Sequence, residues 1–153
     1  MTLIVQKYGG TSLGTVERIK NVAQRVVKWK DAGHDLIVVV SAMSGETNRL
    51  LSLTKKIAPN KSINSRESDV VTSAGEQVSI GLLALAIEEL GFSSKSYSGW
   101  QVPIKTDGSF TKARILGIGT SEIQNELSKN KIIIIAGFQG IDKSGNINTL
   151  GRG

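Results

Sequence analysis

A chain of 153 residues with 39% apolar residues has the length of one domain and enough hydrophobic material for one core. It contains no cysteine and a single histidine, His34, which excludes a disulfide framework, a thiolate metal centre and a histidine cluster. The formal charge of +6 favours an anionic ligand, but the lysines are scattered and no basic stripe is interleaved with aromatics, so nucleic-acid binding is not expected.

Leu3–Tyr8 reads as a buried strand. Its last residues, Lys7 and Tyr8, run into Gly9, Gly10, Thr11, Ser12 and Gly14, after which a helical pattern begins. A strand, a glycine-rich turn and a helix N-terminus together make a candidate phosphate cradle. Glycines let the backbone approach an anion, and free amides and the helix dipole favour negative charge. Lys7 is placed to reach the same point. Gly9 and Gly14 have the spacing of a Walker loop, but Thr15-Val16 follows where Lys-Ser/Thr is required, and the dinucleotide fingerprint is absent. A tight turn without a ligand is the alternative. Thr15 is expected to cap a helix to about Ala32, with Val16, Ile19, Val22, Ala23 and Val26 at helical spacing and Gly33 as its stop. His34 reads as a surface residue.

Residues 36–40 are uniformly apolar, as in a parallel strand covered on both faces. Strand, helix and strand in this length make a βαβ unit, whose ligands collect beyond the carboxyl ends of the strands. There the second strand delivers Ser41 to Gly45, a second small, glycine-bearing loop. Thr47 opens a short helix to about Ile57, and residues 59–66 read as a surface loop. Residues 67–90 return to helix, with a restart at Ser73-Ala74-Gly75-Glu76, the spacing of a capping box. Glu76 is then either a helix cap or a carboxylate that receives a substrate's ammonium group. Val78, Leu82, Leu85, Ala86 and residues 87–90 supply a broad apolar face before Gly91.

Residues 95–98 form a short strand, Trp100 belongs to a core or a pocket wall, and residues 104–118 form short β segments. Thr120 or Ser121 caps a helix to about Asn130. Ile132–Ala136 is another apolar strand, ending in Gly137-Phe138-Gln139-Gly140, a third glycine-bearing strand end. A hairpin turn at residues 142–146 leads to Thr149-Leu150-Gly151-Arg152-Gly153, where an arginine suits phosphate recognition. Apolar runs such as Ile132–Ala136 are too short to cross a bilayer, and no basic-then-apolar leader precedes the first strand. A cytoplasmic protein without a membrane partner is expected.

Six separated motifs now carry a family likeness. Lys7-Tyr8-Gly9-Gly10-Thr11-Ser12, residues 40–48, Ser73-Ala74-Gly75-Glu76-Gln77, Ser98-Gly99-Trp100-Gln101, Ala136-Gly137-Phe138-Gln139-Gly140 and Thr149-Leu150-Gly151-Arg152-Gly153 together resemble the bacterial aspartate kinases, members of the amino acid kinase family. The resemblance implies a three-layer α/β/α sandwich around a mainly parallel sheet, truncated here, so that residues 1–153 form the N-terminal portion of the kinase domain. It implies phosphorylation of the β-carboxylate of L-aspartate by ATP with Mg²⁺, giving 4-phospho-L-aspartate for lysine, threonine and methionine synthesis. By resemblance, Lys7 is catalytic. Lys7, Tyr8, Gly9, Gly10 and Ser41 hold nucleotide phosphates, Thr47, Glu76 and Arg152 hold aspartate, and no protein residue is assigned to a metal.

That chemistry is consistent with the side chains present. A carboxylate is already a nucleophile, so phosphoryl transfer to it needs positioning and charge neutralisation rather than a histidine or cysteine. In the family, the sequence continues past Gly-Arg-Gly into the nucleotide-binding remainder and then into ACT regulatory domains. The 153-residue chain alone is therefore expected to bind ATP poorly, to turn over little, to lack feedback inhibition, and to self-associate or pair with a partner subunit. The competing readings are another amino acid kinase family enzyme and a non-catalytic anion-binding subunit.

Overall fold

The computed structural model describes residues 2–151. Four strands, β1 (Leu3–Tyr8), β2 (Asp35–Val40), β6 (Ile132–Ala136) and β3 (Ser94–Tyr97), form a parallel sheet in the order β1-β2-β6-β3. Their register sets Tyr8 beside Val40 and Val40 beside Ala136, so three carboxyl ends finish at one level.

The sheet is covered on both faces. On one face, Leu36, Val38 and Val40 of β2 and Ile132, Ile134 and Ala136 of β6 pack against two helices, α1 (Val16–Asp31) and α4 (Ala74–Glu89). Ile19, Val22, Ala23 and Val26 come from α1, and Ile80, Leu83 and Ile87 from α4. On the other face, Ile37, Ile133 and Ile135 meet Ile123 and Leu127 of α5 (Ser121–Ser128), with Tyr97, Val102 and Ile104. Side chains alternate across a strand, so a continuous apolar run serves both layers. A second sheet, in the order β5-β4-β7-β8, joins β4 (Ile104–Thr106), β5 (Ile115–Ile118), β7 (Gln139–Ile141) and β8 (Ile147–Thr149). Helices α2 (Glu46–Ile57) and α3 (Arg66–Thr72) complete the chain. The architecture is the expected α/β fold with a mainly parallel sheet.

Several local expectations are corrected. β1 is an edge strand, not a buried one: Leu3 and Val5 are 52% and 61% exposed. A 3₁₀ turn over Gly10–Leu13 separates the first glycine loop from α1. Thr15 does cap α1, accepting the Arg18 N–H at 3.2 Å, but Val16 points outward. The helical break at Ser73 is present without the capping box, because the Ser73 hydroxyl donates back to Val70 O at 3.1 Å. Thr120 precedes α5 without a side-chain cap. His34 is half-buried, its ring tilted against Trp29.

Of the apolar face expected for α4, Ala86 and Ile87 pack inward but the rest does not. Val78, Leu82 and Leu85 are exposed, whereas Gly75, Glu76 and Ser79 are buried with Ile80, Leu83 and Ile87. Ile80, Leu83 and Ile87 pack against α1 and the sheet, and the first turn of α4 faces inward with them, where Glu76 bonds Ala42. The helical stretch 66–89 is long enough to cross a membrane and holds an apolar window of 18 residues, but half of that window is buried in the protein.

Candidate functional site

A cavity of about 580 Å³ opens where β1, β2 and β6 end. Lys7 reaches it from β1, on the sheet face it shares with Val39. Gly10 reaches it from the loop after β1. A Cβ at Gly10 would lie 3.2 Å from Ala42 O and 3.4 Å from Ser44 Cα, so the absence of a side chain lets the first two strand-end loops approach closely. Ser41, Ala42, Met43 and Ser44 line the cavity along the second loop.

The start of α2 forms the adjoining wall. Gly45, Thr47 and Asn48 line the cavity, and Gly45 occupies the N-cap position with φ +79°, a conformation glycine adopts at little cost. No side chain caps α2, and the Glu46 N–H is taken by Met43 O at 3.0 Å, so the Thr47 and Asn48 amides are the ones left for an anion in the cavity. The α1 terminus, in contrast, is set apart by the 3₁₀ turn and capped by Thr15. The helix dipole at this site is therefore that of α2. Beside it, Arg49 bonds both oxygens of Glu46, at 2.6 and 2.9 Å, and holds that carboxyl below its usual range.

Glu76 closes the cavity from α4. It is 1% exposed, and its Oε2 accepts the Ala42 N–H at 3.0 Å. This bond requires α4 to start against the second loop. Gly75 makes that possible, since a Cβ there would sit 2.8 Å from the Ala42 methyl carbon. The helical break is held from below by Gln139, which is fully buried. Its Nε2 donates to Ser73 O at 2.9 Å, and its Oε1 accepts the Gly99 N–H at 3.1 Å. Phe138, Leu150 and Gly151 line the remaining side.

Of the residues expected from sequence, Lys7, Gly10, Ser41, Thr47 and Glu76 meet in this cavity. Tyr8 and Gly9 are not among its lining residues. Tyr8 packs toward the α1/α4 core, its hydroxyl donates to Gln6 Oε1 at 3.1 Å, and burial raises its phenol. Arg152 lies outside the described residues. The Glu76 carboxylate bonds Ala42, 34 positions away, a role beyond capping its own helix.

Sequence reasoning singled out Ser73 and Glu76 but passed over the polar residues around them. Ser68, Asp69, Thr72 and Ser79 are buried with Ser73 and Glu76, and together they recur at helical spacing through α3 and α4. That polar stripe on an apolar stretch was the available signal.

The amino acid kinase family matches residues 2–153. The chain belongs to the amino acid kinase family. It is 56% identical over 153 residues to an aspartate kinase of Pseudomonas fluorescens (strain SBW25), spanning 100% of this chain and 37% of that relative. A crystal structure of aspartate kinase from Synechocystis superposes with a TM-score of 0.81 at 41% identity, over 99% of this chain and 24% of that one. Aspartokinase III of E. coli in complex with aspartate and ADP gives a TM-score of 0.81 at 21% identity, over 100% of this chain and 44% of that one, a likeness of fold. The chain thus spans little more than a third of the length of the curated relatives it matches.

Proposed function

We propose that this chain carries the acceptor site and first phosphate loops of an aspartate kinase, which transfers the γ-phosphoryl group of ATP to the β-carboxylate of L-aspartate. The reading rests on one observation above the others. Lys7 and Glu76, a cation and a buried carboxylate from distant parts of the chain, line the same cavity beyond three parallel strand ends. Identity of 56% to a relative named aspartate kinase agrees with it.

In this mechanism a β-carboxylate oxygen of aspartate forms a bond to the γ-phosphorus as the bond to ADP breaks. No proton has to be removed from the nucleophile. Lys7 neutralises charge on the transferring group, while the Gly10 loop, Ser41 and the open α2 amides cradle phosphate oxygens. Glu76 receives the ammonium group of aspartate, and Thr47 offers a hydroxyl to the same substrate. Tyr8 and Gly9 contribute through their backbone alone, and Arg152 holds a substrate carboxylate. Among the described residues no group of three His, Cys, Asp or Glu side chains is placed to hold a metal. Mg²⁺ is typically held by substrate phosphates with only one or two carboxylates, so the ion would enter with ATP, and no step is assigned to it. The product would enter lysine, threonine and methionine synthesis in the cytoplasm, and the remainder of the kinase domain and the ACT domains would supply nucleotide affinity and feedback.

Titration of the ¹⁵N-labelled chain with L-aspartate, L-glutamate and N-acetyl-L-glutamate tests the acceptor assignment. L-Aspartate is expected to shift the Ala42, Gly45 and Glu76 amides at concentrations where the other two do not. Equal or stronger responses to glutamate would transfer the assignment to another member of the family. No response to any of the three would leave a non-catalytic anion-binding chain.

A further inference from the structure

Asp69 is fully buried in α3 and is not among the residues that line the cavity. Three donors from distant parts of the chain converge on its carboxylate. The Thr149 hydroxyl donates to Oδ1 at 2.7 Å, and the N–H groups of Thr149 and Thr111 each donate to Oδ2 at 3.0 Å. Thr149 is the last residue of β8, and the next two residues, Leu150 and Gly151, form one wall of the cavity. Thr111 belongs to the segment that holds this wall from behind. Ala113 N donates to Thr149 O at 3.0 Å, and Gly151 N donates to Ala113 O at 3.1 Å. Along its own helix, Asp69 accepts the Ser73 N–H through its carbonyl at 3.0 Å, and Ser73 opens the turn that presents Glu76.

We propose that Asp69 is a positioning residue of the acceptor site: it ties the Leu150–Gly151 wall to the helix pair that presents Glu76, and so sets the width of the cavity between them. The assignment of an acceptor rests on the function proposed above, whereas the tie itself does not. A single carboxylate suits this task, because two oxygens can hold one hydroxyl and two backbone amides together. An aliphatic residue of similar size would leave the buried Thr149 N–H and the partly buried Thr111 N–H without an acceptor. The negative charge is not what the geometry uses. In Asp69→Asn the amide oxygen can accept both backbone N–H groups, and the amide nitrogen can donate to the Thr149 hydroxyl, which accepts as readily as it donates.

Asp69→Ala, Asp69→Asn and Thr149→Val in the 153-residue chain separate this role from general stabilisation. Backbone hydrogen exchange reads the tie without any ligand. In Asp69→Ala, the Leu150 and Gly151 amides are expected to exchange at least about tenfold faster relative to central-sheet amides such as Val38 and Ile134, and in Asp69→Asn within about twofold of wild type. Thr149→Val, the milder change, gives an intermediate acceleration at the same two amides and serves if Asp69→Ala does not fold. L-Aspartate binding is expected to weaken about tenfold in Asp69→Ala and less than about threefold in Asp69→Asn. Unchanged exchange at Leu150 and Gly151, or acceleration spread evenly over the sheet, would overturn the proposal. Failure of the wild-type chain to bind L-aspartate would instead count against the functional reading, and the exchange data would still decide the tie.

Discussion

The Ala42 N–H donates to Oε2 of Glu76 at 3.0 Å, joining the loop after β2 to the first turn of α4. The bond does two things at once: it satisfies a buried amide and it orients a buried carboxylate on the wall of the cavity. Substitution separates them. Glu76→Gln keeps an oxygen for Ala42 and removes the charge, so its urea midpoint is expected to stay close to that of wild type while L-aspartate affinity falls at least about tenfold. Glu76→Ala should also lose about 1–3 kcal/mol of stability, because the Ala42 amide is left unpaired. Paired denaturation and titration curves check both statements, and undiminished aspartate binding by Glu76→Gln would remove its role toward the ammonium group.

Two glycines allow the close approaches that assemble the site, and they differ in what surrounds them. A Cβ at Gly75 would meet the Ala42 side chain at 2.8 Å, whereas one at Gly99 would stand 2.3 Å from the backbone oxygen of Gln139. Gly75→Ala is expected to cost about 1–3 kcal/mol, in line with overpacking of a tight contact. Gly99→Ala should cost more, since neither neighbour can move aside by a rotamer change and a Cβ at Gly99 would come closer, 2.3 Å against 2.8 Å, to a backbone oxygen held in a strand. Equal urea midpoints for the two variants would contradict this order.

Acid should act through Glu126. Lys131 at 2.8 Å, helped by Lys95 at 3.4 Å and Lys129 at 3.5 Å, holds its carboxyl at about 2 against the ordinary 4.5. A carboxyl depressed by folding contributes stability that is fully present above its unfolded value, near pH 4.5, and is lost as the pH falls toward 2. The difference in urea midpoint between wild type and Glu126→Gln is therefore expected to be constant from neutral pH to about pH 5 and to shrink below it. A difference that does not change between about pH 5 and pH 3 would rule out this ion cluster as a source of acid sensitivity.

The outer strand carries a solubility risk. Leu3 and Val5 lie exposed on β1, whose far edge has no partner strand among the described residues. An unpaired apolar edge is a template for association. The isolated chain is expected to gain mass with concentration in light scattering, and Val5→Lys to suppress that gain. A wild-type chain that stays monomeric at high concentration would contradict the expectation.

Much of the framework was legible from local patterns. The unbroken apolar runs of β2 and β6 announced strands covered on both faces, Thr15 and Gly33 bounded α1, and three glycine-bearing strand ends pointed to one edge of the sheet. These features are written in neighbouring residues, because strand burial, helix caps and tight turns depend on side chains a few positions apart. The motifs that include Lys7, Gly10, Ser41, Thr47 and Glu76 likewise identified residues that meet in the cavity.

What the pattern left open depends on residues far apart in the chain. Apolar content alone did not say that Val78, Leu82 and Leu85 face outward, because α4 carries apolar residues on both faces and its phase is chosen by the packing of Ile80, Leu83 and Ile87 together with the Glu76–Ala42 bond. Nor did it mark β1 as an edge, since edge position is a property of the assembled sheet. Asp69 and Gln139 look like ordinary polar residues until Thr149, Thr111, Ser73 and Gly99 are brought around them. A buried polar group takes its meaning from the partners that pay its desolvation, and only the folded chain chooses those partners.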